Sequence, residues 1–143
     1  ATIWARELPA LQSLHFGLFA DDVAASAAIT TAARLPHMIG ALVSRSGRLE
    51  HAKASLPYVL APTLLIVGEQ DPSLSINQES LAQLPGEARL EIVPQSQDLL
   101  HDTADLDLVG GLAAKWFIHH LKDKTLFEPS PVDIYKNMPQ VFA

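Results

Sequence analysis

The 143-residue chain has no cysteine, which excludes disulfides, thiolate metal ligands and a cysteine nucleophile, and says little about compartment. No apolar run reaches the ~18 residues a membrane span needs. The start lacks a basic segment followed by an apolar one, so neither a signal peptide nor a membrane anchor is indicated. The expected location is the cytoplasm or another soluble compartment. Ten basic residues are scattered along a chain of net charge −6, and without a basic patch nucleic-acid binding has no footing. There is no G-x-G-x-x-G, no P-loop and no H-E-x-x-H, so no nucleotide cofactor or zincin site is indicated. Internal repeats and low-complexity segments are absent too. What is present is apolar: 48% of the residues are hydrophobic, enough to exclude disorder and to fill one domain around a sheet buried on both faces.

Hydrophobic patterning divides the chain into alternating elements. Ile3, Trp4 and Leu8 lie at helical spacing in Ala1 to Gln12, the end of a helix. Leu14 to Ala20 is a short apolar strand. Asp21-Asp22 then opens an alanine-rich helix to Arg34, with carboxylates at its positive end and Pro36 as its stop. Met38 to Ser44 is a second strand, followed by the loop Arg45 to Arg48. Thr63 to Gly68 is the clearest strand, and Ile76 to Leu84 a helix ended by Pro85-Gly86. Ala88 to Val93 is a fourth strand. Asp102-Thr103 offers an N-cap for a helix through Leu121, weakened by about 1 kcal/mol at each of Gly110 and Gly111. Four strand–helix alternations predict an α/β domain over residues 1–124: a mostly parallel sheet of about four strands with helices on both faces. Residues 125–143, with Pro129, Pro131 and Pro139, form an extended C-terminal arm.

Three stretches together resemble the dienelactone-hydrolase-like branch of the α/β-hydrolase superfamily. Gly17-Leu18-Phe19-Ala20-Asp21-Asp22-Val23-Ala24-Ala25 stands where that family has its G-x-S-x-G nucleophile elbow, a sharp strand-to-helix turn. Ala61 to Gly68 followed by Asp71 is similar to the strand and loop that carry the acid. Arg89 to Pro94, then Gln95 to Asp98, is similar to the last strand and the loop that carries the histidine. The order nucleophile, acid, histidine is that of the family. The resemblance covers roughly residues 1–122 and implies the C-terminal half of an α/β-hydrolase fold.

Carried over position by position, the resemblance puts the nucleophile on Asp22, the flanking glycines on Ala20 and Ala24, the acid on Asp71 and the histidine on Asp98. Only the acid is retained. Aspartate tolerates a positive φ, so the turn can outlive the serine chemistry. This implies a catalytically inactive domain, serving as a structural or interaction subunit or as part of a larger protein. An active hydrolase of esters, lactones or halides would instead use Asp22 as nucleophile, with His101 as a displaced base. His101 otherwise reads as a surface residue near a helix start, and Asp71-Pro72 as a turn or cap. A third reading has Asp22, Asp71 and Asp98 converging on a hard cation such as Ca²⁺ or Mg²⁺, or the pocket taking a small molecule.

Among the other candidates, Arg45 and Arg48 follow a strand end and either face a ligand or are solvated loop charges. Trp4, Trp116 and Phe117 are expected to face the sheet, and His119-His120 to be a surface pair. His15 is expected to be a core or edge residue, and His37 and His51 to lie in loops. With the elbow strand first in the chain, residues 14–20 form an open edge without a lysine or proline to guard it. Such an edge is expected if the chain is a fragment of a longer protein that supplies the next strands, and otherwise suits pairing with another protein chain or with a second copy. Ile134, Tyr135, Met138, Val141 and Phe142 in the arm could lie across a partner or cover their own domain.

Overall fold

The computed structural model describes residues 2–9, 14–99 and 101–122. The elements run α1 (Thr2–Glu7), β1 (Phe16–Asp21), α2 (Ala24–Arg34), β2 (Ile39–Arg45), β3 (Thr63–Gly68), α3 (Leu74–Leu81), β4 (Ala88–Val93) and α4 (Thr103–Leu121), with short 3₁₀ turns at Glu50–Ala52 and Leu56–Tyr58. The four strands form one sheet in the order β1-β2-β3-β4, and every pair is parallel. All four therefore deliver their carboxyl ends to one rim.

Side-chain alternation explains the layers. On one face, Ala20, Leu42 and Leu65 meet Ala25, Ile29 and Ala32 of α2 and Ile76 of α3. On the other, Ala41, Val43, Leu64 and Ile66 meet Val109, Ala113 and Trp116 of α4. Each fully buried Leu or Ile stabilises the fold by roughly 1.5–3 kcal/mol. β3 is buried along its whole length, which is why its sequence is an unbroken apolar run instead of an alternation. Helix α4 lies close against β1 and β2: a Cβ added to Gly17 would come 2.8 Å from the Phe117 ring, and one added to Gly40 would come 2.8 Å from Leu121. Trp116 is buried in that layer, and its Nε1 donates to the Pro62 carbonyl at 3.2 Å.

Several expectations need correction. The first strand begins two residues later than Leu14 and includes Asp21, because its first bond to the sheet is Phe16 N–H to the Met38 carbonyl. The second runs Ile39–Arg45 instead of Met38 to Ser44. The third helix is Leu74–Leu81, since Asp71 starts it earlier than the apolar pattern suggested. Helix α2 begins at Ala24 behind an N-cap at Val23 without a side-chain bond, so Asp21 and Asp22 precede the helix instead of opening it. Trp4 is 64% exposed and does not face the sheet. His120 is not a surface residue. Its ring packs on Trp116 at 4.3 Å between centroids, and its side chain is only 8% exposed. By contrast α4 starts as expected, with the Asp102 carboxylate accepting from Ala104 N–H at 2.8 Å. The arm at 125–143 lies outside the described residues.

Candidate functional site

The carboxyl rim of the sheet opens into a cleft of about 1220 Å³. Asp21 and Asp22 line it from β1, Arg45, Ser46 and Arg48 from β2, Asp71 from beyond β3, and Gln95 to Asp98 and His101 from beyond β4. Parallel strands with crossover helices put their loops there, which is why open α/β sheets bind ligands on that side.

Among the described residues, three that are not glycine have positive φ: Asp22 at 43°, Ser46 at 45° and Gln95 at 59°. Each follows a strand end at this rim, after β1, β2 and β4. A left-handed residue costs on the order of 1–2 kcal/mol, and such strain collects at functional rims. Asp22 occupies the sharp turn between β1 and α2. Its N–H donates to the Arg45 carbonyl at 3.2 Å, and its carbonyl accepts from Ala25 at 3.2 Å and Arg48 at 3.0 Å. The elbow geometry is thus held by backbone bonds that do not involve the side chain. The Asp22 carboxylate has no hydrogen bond or ion pair among the described residues.

The other sequence-predicted residues have separate occupations. Asp71 Oδ1 accepts from the Ser73 N–H at 2.7 Å and the Ser73 hydroxyl at 2.8 Å, so this carboxylate ties the turn leading into α3. Asp98 Oδ2 lies 2.7 Å from His101 Nδ1, on the same loop and three residues apart. The His101 side chain is 84% exposed and makes no bond to Asp22. The four residues therefore line one cleft, yet only Asp98 and His101 are joined. Among the described residues, no three His, Asp or Glu side chains are grouped to hold a metal ion, so the cation reading has no ligand cage.

The arginines divide the two readings offered for them. Arg45 is only 11% exposed; it reaches Asp21 Oδ2 at 2.6 Å and lies over the Phe19 ring at 5.8 Å. Arg48 is exposed at the cleft. Sequence patterning missed Asn77, fully buried in α3, whose Nδ2 donates to the Gly47 carbonyl at 2.9 Å and the Ser73 carbonyl at 2.8 Å. It anchors the Ser46–Arg48 loop from below the cleft. Nothing in the linear pattern marks a polar residue on the inner face of a helix as an anchor. Ser46 and Gln95 were missed as strained positions; the adjacent Gly47 was the one local sign of a tight turn.

Comparison with known structures now decides the fold. The chain superposes on a dienelactone hydrolase from Anabaena variabilis with a TM-score of 0.81 and 41% identity, over 85% of this chain and 57% of that one. The fold is that of a dienelactone-hydrolase-like α/β hydrolase. A predicted CIB-like hydrolase from Thermoplasma acidophilum (17% identity, TM-score 0.63, 79% of this chain and 56% of that one) shares this α/β-hydrolase fold. So does an α/β hydrolase from the sediment metagenome of the Mar Chica lagoon (14% identity, TM-score 0.63, 82% and 68%). The chain is also 41% identical over 121 residues to a Mycobacterium tuberculosis protein named a putative phosphoribosyl transferase, in two strains. That match takes in 84% of this chain but 27% of those proteins, so the chain spans about a quarter of the length of its curated relatives. No protein-family model matches the chain.

Proposed function

We propose that this chain is a dienelactone-hydrolase-like domain that no longer hydrolyses, and that it serves as a structural or interaction subunit or as part of a larger protein. One observation carries the reading. The elbow turn is kept, but around a carboxylate with no base bonded to it among the described residues, while His101 at the cleft is held by Asp98. A carboxylate can attack carbon, but the ester it forms is released only if a base activates water against it. An imidazole that is mostly in solvent is poorly fixed for that task.

The interaction role is supported by apolar side chains that stand exposed on β1 and at its ends. Phe19 on that strand is 47% exposed, and Leu14 and Val23 beside it are 52% and 63% exposed. No helix among the described residues is long and apolar enough to cross a membrane.

A second reading has one observation in its favour. Because Asp98 engages His101 through Nδ1, Nε2 stays available, as in a base oriented by an acid. In that case Asp22 is the nucleophile and His101 the base. The experiment is hydrolysis of activated esters, lactones and haloalkanes by the purified chain beside Asp22→Ala and His101→Ala variants. Rates of the parent equal to those of Asp22→Ala are expected. Turnover lost in both variants would establish the hydrolase instead.

A further inference from the structure

Charge is unevenly placed around the cleft. Arg45 and Arg48 both stand at its β1–β2 end, where Asp21 holds the Arg45 guanidinium and the Asp22 carbonyl accepts from the Arg48 N–H. Beyond β3 and β4 the described lining residues include no lysine or arginine, but four aspartates: Asp71, Asp98, Asp102 and Asp105. The whole chain has a net charge of −6, so these four carboxylates make this end the acidic one. None of them belongs to β1 or to the turn that follows it, so their charge does not depend on what lies beyond that strand. A cleft wall of one sign raises the local concentration of the opposite charge by roughly 10–1000-fold.

The floor of this end adds an independent feature. Ser96 lines the cleft, is only 7% exposed, and has a buried hydroxyl without a partner among the described residues. It is fixed at the end of β3, where its carbonyl accepts from the Gln70 N–H at 2.9 Å and would meet any Cβ on Gly68. A buried hydroxyl is costly to leave unpaired, and an incoming donor offsets that cost. The aspartates keep acceptor capacity too. Asp71 spends Oδ1 on Ser73 and Asp102 spends Oδ1 on the α4 cap, and each retains its second oxygen. Asp105 makes no hydrogen bond or ion pair among the described residues.

These acceptors are spread out, since no three His, Asp or Glu side chains among the described residues are grouped to hold a metal ion. A single point charge cannot engage them together, whereas cationic groups several ångströms apart on one flexible chain can. An ammonium group brings three donors and no acceptor, the complement of carboxylates and an unpaired hydroxyl. We infer that the β3–β4 end of the cleft binds an organic polycation of the linear polyamine class. Ser96 takes one ammonium group at the floor, and the four aspartates take the others. This site goes beyond the loss of hydrolysis and does not rest on it.

Calorimetric titration of the full chain with spermidine at low salt tests the site. One spermidine is expected to bind per chain, with a Kd below about 1 mM. Ser96→Ala changes no charge and removes no side-chain bond among the described residues, so it is expected to fold and to weaken spermidine about tenfold. Asp105→Asn is expected to weaken it roughly fivefold. Asp107→Asn removes the same charge from an exposed residue of α4 outside the cleft, and is expected to leave binding unchanged. Circular dichroism confirms that each variant is folded. Magnesium ion at the concentration of spermidine is expected not to displace it. No binding at about 5 mM spermidine, full-strength binding in Ser96→Ala, or equal losses in Asp105→Asn and Asp107→Asn would overturn the site. Displacement by magnesium would overturn it as well, in favour of a site for a simple cation.

Discussion

Replacing Asn77 by alanine tests whether the cleft loop is held from beneath. The side chain is fully buried, and its Nδ2 bridges the Gly47 carbonyl on the β2 loop and the Ser73 carbonyl at the start of α3. The two bonds are not equivalent. The Ser73 carbonyl also accepts from the Asn77 N–H at 3.1 Å, so it keeps a partner in the variant. The buried Gly47 carbonyl has no second bond among the described residues. Losing a neutral hydrogen bond costs about 1 kcal/mol, and leaving a buried carbonyl orphaned adds on the order of 1–2 kcal/mol. Asn77 Oδ1 is itself buried without a partner, so its removal returns part of that cost. The net expectation is a loss of about 2 kcal/mol in Asn77→Ala. Asn77→Asp keeps the shape but turns a donor into an acceptor facing two carbonyls, so it should cost more than alanine. Urea unfolding followed by circular dichroism measures both, with the m-value checking that the denatured state is unchanged. A loss below about 0.5 kcal/mol, or an aspartate variant as stable as the parent, would show that Asn77 is not the anchor described.

Two further perturbations follow from the same geometry. A Cβ at Gly110 or Gly111 meets nothing within 4 Å, so Gly110→Ala and Gly111→Ala should each raise stability by about 0.4–1 kcal/mol in thermal or urea unfolding, and a loss would mean that α4 is covered at that point. His120 titrates below the ordinary histidine range, chiefly because burial penalises the charged ring, with the nearby Glu87 carboxylate opposing that and His119 adding to it. The unfolded chain therefore takes up this proton first as pH falls below about 6.5, and stability declines from there until the folded form also binds it. Urea midpoints at neutral and acid pH should fall more for the parent than for His120→Gln, and equal declines would refute the assignment.

The fold was legible in the sequence because each element carries its own local cause. The unbroken Thr63–Gly68 run, the Ala88–Val93 strand and the Asp102 cap were all readable from neighbouring residues, and the structure keeps them. Boundaries slipped where a distant group set them, as when the Met38 carbonyl fixed the start of β1. The elbow is a case between the two. A strand-to-helix turn around an aspartate could be expected from residue types, whereas its φ of 43° is set by bonds to Arg45 and Arg48, more than twenty residues away.

For the site, the sequence alone determined which chemical groups the chain possesses: carboxylates at Asp22, Asp71 and Asp98, and an imidazole at His101. Only the tertiary structure decided what each one touches. Parallel strands carried all four to one rim, where Asp71 turned inward to Ser73, Asp98 took His101, and Asp22 was left without a partner among the described residues. The same division holds for the histidines at the end of α4. Adjacent residues with identical side chains differ because helical rotation puts His119 toward solvent and His120 against Trp116. Residue type fixes what a group can do, but proximity and burial arise from packing between segments far apart in the chain, and no local pattern encodes them.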